Sequence, residues 1–293
     1  MITKEELHSM ISQGLWYLDG ATGSNLQKMG MPRGCCTEEW ILANPDKLVS
    51  LQRSYAAAGS QILYAPTFQA QPMALERVNL AGQTEAINAH LVALSRSAAP
   101  DCLIAGDLTT LAGFCDSWDE DLFDLLVENY RRQIHGLIDG GADLLVAETL
   151  MYPQEAEAIL TAAELEGAGA VMYSFVMTSD GALFSGRDAA PILKELENAG
   201  AAAVGFNCVA ADSMTPHLVR KLARDIRIPI LCKPNAGTPV INSAGIPEYD
   251  MNPGKFAEIL LDCSRSGGKL LGGCCGTTPE HIAAVTRLLG NKI

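Results

Sequence analysis

With 293 residues, 48% of them apolar, the chain can bury one large core or two ordinary ones. Its net charge of −13, with no basic run, argues against nucleic acid as a partner. The opening residues lack the basic start and apolar core of a signal peptide, and no apolar run is long enough to cross a bilayer. A cytoplasmic chain with no membrane partner is therefore expected.

Short apolar runs and amphipathic stretches alternate along the sequence. A strand at 15–18 precedes a helix at 45–58. Strand 61–64 is followed by helix 83–99, strand 102–105 by helix 120–139, and strand 143–147 by helix 153–167. The second half repeats the pattern: 170–176 then 190–199, 202–206 then 214–226, 230–232 then 253–265, and 269–271 then 279–289. Pro45, Pro153, Pro191, Pro216, Pro253 and Pro279 stand near first helical turns, where a missing N–H leaves no hydrogen bond unmade. Gly59, Gly140, Gly200 and Gly267 read as left-handed helix ends. The acidic run from Asp116 to Asp124 reads as a solvated helix start. Eight βα units with no linker or composition break predict one α/β domain over 1–293, a single (β/α)8 TIM barrel. An open doubly wound sheet is the alternative.

In such a barrel the chemistry lies at the C-terminal ends of the strands. Those ends carry Asp19-Gly20-Ala21-Thr22-Gly23, Thr67-Phe68, Asp107, Glu148-Thr149, Asn207-Cys208, Lys233-Pro234-Asn235-Ala236-Gly237 and Gly272-Gly273-Cys274-Cys275-Gly276. Carboxylates, amides and thiols thus gather on one face. Asp19 and Glu148 are candidates for an ammonium group, and the loop from Gly20 to Gly23 would let backbone N–H groups approach a carboxylate. A capped turn is the plainer reading of that loop alone. Glu148 is the stronger signal, because a glutamate within an apolar run has a desolvation cost unless it is partnered.

Nine cysteines, an odd number without an export signal, point to free thiols or metal ligands rather than disulfides. Consecutive strand residues face opposite ways, so aiming both Cys274 and Cys275 at one point needs a turn, which the flanking glycines permit. Thr278, Pro279 and Glu280 read as the start of a helix whose dipole would favour thiolate. With Cys208 from across the mouth they form a three-sulfur site that leaves one zinc position open, as catalytic sites do. A small buried apolar residue is the plainer reading of an isolated cysteine, but a glycine-framed pair with a third cysteine similarly placed favours the metal site. Cys35 and Cys36 read as part of a loop, with no metal expected there. Cys102, Cys232 and Cys263 read as packing residues, Cys115 has no assignment, and His281 is expected on the surface.

These motifs resemble the homocysteine S-methyltransferase family along essentially the whole chain. The carriers are Asp19 to Gly23, Thr67-Phe68, Glu148-Thr149, Gly205 to Cys208, Pro234 to Gly237 and, most specifically, Gly272 to Pro279. The resemblance implies Zn2+ on Cys208, Cys274 and Cys275, the residues also expected to be catalytic. It implies homocysteine as substrate, its amino group on Asp19 and Glu148, within a pocket that includes Gly20, Ala21, Thr67, Asn207 and Asn235. Family members take methyl from methylcobalamin, betaine or S-methylmethionine. The stretches after Pro234 and Cys274 are most similar to the homocysteine-binding module of cobalamin-dependent methionine synthase. Gln69, where the betaine branch has tyrosine, counts against betaine and is shared with the S-methylmethionine branch. A methylcobalamin donor would have to arrive on a separate corrinoid protein. Methyl transfer to another thiol, or non-catalytic docking of such a protein, are the alternatives.

Overall fold

The computed structural model describes residues 1–114, 120–243 and 247–290. In chain order its elements begin α1 (Lys4–Ser12), β1 (Trp16–Tyr17), α2 (Gly23–Lys28), α3 (Thr37–Ala43), α4 (Pro45–Ala57), β2 (Ile62–Tyr64) and α5 (Pro72–Leu75). Next come α6 (Thr84–Ala98), β3 (Leu103–Thr109), α7 (Glu120–Asp139), β4 (Leu144–Leu150), α8 (Pro153–Leu165), β5 (Val171–Phe175) and α9 (Ala189–Asn198). The chain continues with β6 (Ala203–Ala210), α10 (Thr215–Leu222), β7 (Ile230–Asn235), β8 (Val240–Ile241), β9 (Pro247–Glu248), α11 (Pro253–Arg265), β10 (Gly268–Leu271) and α12 (Pro279–Leu289).

Strands such as β2 and β5 are buried on both faces, which is stable only where a sheet is covered on both sides. Eight strands pair in parallel in the order β1-β10-β7-β6-β5-β4-β3-β2. The ring closes where Leu18 bridges Ile62 and the Gln61 N–H donates to the Tyr17 carbonyl at 2.7 Å. This is the expected (β/α)8 barrel, and the open-sheet alternative falls. One apolar cluster, including Leu18, Tyr64, Val146, Met172 and Leu231, fills the barrel. A larger one packs the strands against the helices.

The barrel's N-terminal end is closed by α1, a helix the strand–helix alternation does not announce. Thr3 Oγ1 accepts from the Glu6 N–H and the Glu6 carboxylate accepts from the Thr3 N–H, a reciprocal cap that starts the helix. Leu7 and Ile11 join the interior cluster. The Ile2 N–H donates to Asp143 O at 2.7 Å, and the Ala170 N–H donates to Ile2 O at 2.9 Å. The C-terminal end is thereby left as the open mouth.

Pro45, Pro153, Pro253 and Pro279 each open their helix, and Pro216 is second in α10. Gly59, Gly200 and Gly267 are left-handed, but Gly140 is not; Gly141, at φ 80°, makes that turn. Gly140 answers a different need, since a Cβ there would lie 2.7 Å from the Ala89 backbone of α6. Cys115, and the part of the acidic run from Asp116 to Asp124 that ends at Asp119, lie outside the described residues. No helix among the described residues is long and apolar enough to cross a membrane.

Candidate active site

Two strands break their regular pairing at the mouth. Register shifts between Ala147 and Leu150 in β4, and between Asn207 and Ala210 in β6. At those points Thr149 and Cys208 adopt left-handed backbone, φ 61° and 56°. Such a conformation costs a β-branched or bulky residue about 1–3 kcal/mol and persists only where surroundings enforce it. The enforcing group is Asn207. Its Oδ1 accepts from the Thr149 N–H at 2.8 Å and the Ser174 hydroxyl at 3.0 Å, and its Nδ2 donates to Thr149 Oγ1 at 2.7 Å. One buried amide thus ties β4 to β6 across β5, and the bulge swings the Cys208 side chain towards the axis.

Cys274 and Cys275 lie just beyond β10, fastened to the end of β7. The Cys274 N–H donates to Pro234 O at 2.7 Å, and the Ala236 N–H donates to Cys275 O at 2.9 Å. Gly276 turns the chain back at φ 79° beneath the ring of Tyr249, which leaves only 2.3 Å for a Cβ. The result brings three sulfurs together. Cys208 Sγ lies 3.0 Å from Cys274 Sγ and 3.9 Å from Cys275 Sγ, and all three lie within 4.8 Å of one another. Sulfurs on a tetrahedral ion with bonds of about 2.3 Å stand roughly 3.8 Å apart, so small adjustments fit this trio to zinc. All are free thiols. Hydrogen bonds from Cys208, Cys274 and the Tyr249 hydroxyl pull the Cys275 thiol down to about 3. Donating to its neighbours holds the Cys208 thiol well above its usual range. Among the described residues this is the one cluster with metal-ligand geometry.

Beside the sulfurs lies a charge cluster. Lys233 on β7 is 3% exposed; its Nζ stands 3.3 Å from Asp19 Oδ1, 3.7 Å from Glu148 Oε2 and 4.1 Å above the Tyr64 ring centre. Burial disfavours the ammonium, but Glu148 and Asp19 outweigh it and hold the lysine protonated. Burial lifts the Glu148 carboxyl to about 7 against the pull of Lys233. Asp107 is pushed well above the carboxylate range by burial and then by Glu148. Over this floor opens a cavity of about 370 Å³, lined by Gly20, Ala21, Glu38, Asp107, Glu148, Lys233 and the three cysteines among others.

The residues singled out from the sequence are placed unevenly. Gly20, Ala21, Glu148, Cys208, Cys274 and Cys275 face the cavity. Asp19, Thr67, Asn207 and Asn235 are buried beneath or beside it. Thr67 Oγ1 is occupied by the backbone of Asp107, donating to its carbonyl at 2.9 Å and accepting from its N–H at 3.0 Å. The Ala21 N–H is spent on Thr277 Oγ1 at 3.1 Å. Sequence reasoning gave no role to Lys233, Asp107, Glu38 or Tyr249. Glu38, 1% exposed, accepts from the Gln69 N–H at 2.8 Å and the Cys36 thiol at 3.5 Å. Cys35, by contrast, is exposed and its thiol points to Pro32 O at 3.0 Å. His281 is buried rather than superficial: its Nε2–H donates to Met251 O at 2.9 Å.

A parallel barrel whose mouth gathers three thiols within 4.8 Å of one another belongs to the class of (β/α)8 barrels with a ligand set suited to a metal ion. More narrowly, the chain belongs to the homocysteine S-methyltransferase family, whose model matches residues 16–289. It is 27% identical over 304 residues to a methionine synthase of Mycobacterium tuberculosis, covering 98% of this chain and 25% of that one. A methionine synthase of Mycobacterium leprae is 26% identical, with 96% and 25% covered. The chain therefore spans about a quarter of the length of these relatives. The fold is similar to that of the metallated homocysteine methyltransferase MmuM of Escherichia coli: TM-score 0.83, 24% identity, 96% of this chain and 99% of that one.

Proposed function

We propose that the chain transfers a methyl group to the thiol of homocysteine, giving methionine, at a Zn2+ ion held by Cys208, Cys274 and Cys275. The observation that carries this reading is the convergence of three sulfurs on a cavity whose floor is acidic. Zinc bound there would lower the pKa of a fourth, incoming sulfur while leaving it nucleophilic, since three thiolates already make the site negative. The protein's own groups orient the acceptor. The acidic floor, with Lys233 among its carboxyl groups, faces the amino end of the amino acid. The loop from Gly20 to Ser24 meets its carboxylate, and the Ser24 hydroxyl there is buried without a partner. Asn207 holds the strained Cys208 in place so that the ligand set is pre-arranged.

Two donors suit the reading: methylcobalamin brought by a separate corrinoid protein, and S-methylmethionine. Glu38 supports a cationic sulfonium donor. It is a buried carboxylate on the cavity wall with hydrogen bonds but no lysine or arginine paired to it among the described residues.

The test is the thiol proton. Free thiols titrate near 8.5, so homocysteine that binds as thiolate at pH 7 must release close to one proton per site. Calorimetry in buffers of different ionisation enthalpy reads that number, with homoserine as the oxygen control. Binding without proton release, or equal binding of homoserine, means that sulfur does not meet the metal.

A further inference from the structure

The floor of the cavity holds more carboxyl groups than its one cation can answer. Asp19, Asp107 and Glu148 are all buried, at 1%, 4% and 8% exposure, and Lys233 is the single ammonium among them. Among the described residues Lys233 forms ion pairs with Asp19 and Glu148 and not with Asp107. Asp19 is turned away from the cavity, which it does not line: its Oδ2 accepts from the Tyr64 N–H at 2.8 Å, and its Oδ1, which has no hydrogen bond among the described residues, is answered by the Lys233 ammonium at 3.3 Å. Asp107 is the opposite case. It lines the cavity, and its buried Oδ1 has no hydrogen-bond partner.

Its backbone is held firmly. The Asp107 N–H donates to Thr67 Oγ1 at 3.0 Å, and its carbonyl accepts from Thr67 Oγ1 and from Gln133 Nε2 at 2.9 and 3.2 Å. A carboxylate fixed by its backbone, buried beside a second carboxylate and left without a donor, is a half-site for a cation that enters with the ligand. Asp107 and Glu148 line the same cavity from the neighbouring strands β3 and β4 and influence each other electrostatically, so an ammonium group seated between them would answer both.

We propose that Asp107, with Glu148, binds the α-ammonium group of the amino-acid acceptor, and that Asp19 acts on it only through Lys233. The assignment rests on the homocysteine reading above and moves the amine contact from β1 to β3. Thr67, at the end of β2, becomes a positioning residue for Asp107.

The experiment compares homocysteine with 4-mercaptobutanoate, which keeps the thiol and the carboxylate and lacks the amine. Calorimetry on the zinc-loaded protein should show homocysteine binding at least tenfold more tightly. In Asp107→Asn, which preserves size, that preference should collapse through weaker homocysteine binding. The affinity for 4-mercaptobutanoate should stay unchanged, which also reports an intact fold and metal site. Asp107→Ser gives the same comparison with a smaller side chain should the asparagine variant fold poorly. An undiminished preference for homocysteine in either folded variant overturns the assignment to Asp107 and leaves the function standing. Failure of the wild-type protein to bind either thiol overturns both.

Discussion

Cys208 shows how much local strain one residue can carry for a site. Its left-handed backbone is stable only because Asn207, Thr149 and Ser174 fasten the strand ends around it. Removing a sulfur from this set should empty it of metal. Cys208→Ser and Cys275→Ser should each lower zinc from about one ion per chain to well below half, by elemental analysis after dialysis. Full retention in both would mean that the ion sits elsewhere. The thiols were legible in the sequence because a glycine-framed vicinal pair is improbable as mere packing. Lys233 and Asp107 were also visible at strand ends, but the groups each would face were not. They come from β7 and β3, and only closure of the ring decides which carboxylate the lysine meets and which it leaves alone.

At the scale of elements, helix starts were the most readable feature, since proline at a first turn states a backbone angle outright. Short pieces such as α2, α3 and α5 escaped, because one or two turns show no clear apolar period. The start of α12 carries a device that sequence could not show. His281 Nδ1 accepts from the Thr278 N–H at 3.2 Å while Nε2–H holds Met251 O at 2.9 Å, and the first of these bonds needs the neutral ring. Burial lowers the His281 pKa below the usual histidine value. A depressed folded pKa gives stabilisation that is complete above the unfolded value of about 6.5 and is lost as pH falls through the folded one. Urea unfolding should therefore show stability declining as pH falls below about 6.5. His281→Gln should cost roughly 1 kcal/mol at pH 7 and flatten that decline. An equally steep decline in the variant would assign the acid sensitivity to other groups.

For the molecule as a whole, alternation of strand and helix was enough to predict the barrel, while α1 was not, being outside the alternation. Yet α1 is bonded to β4 and β5 through their flanking residues and plugs the interior with Leu7 and Ile11. Leu7 is fully buried, so Leu7→Ala should destabilise the entire barrel by about 2–5 kcal/mol. Chemical denaturation should show one shifted transition, with zinc content preserved in the folded protein. A separate early transition would instead make α1 an independent appendage.

That plug also governs traffic. With the base stopped by α1, the cavity over the sulfurs is a blind well entered from one end. A molecule seated on the thiols has to arrive before anything that rests on top of it, and it cannot depart until that cover has gone. Two ligands stacked in this way would take their order of arrival and departure from the shape of the well itself.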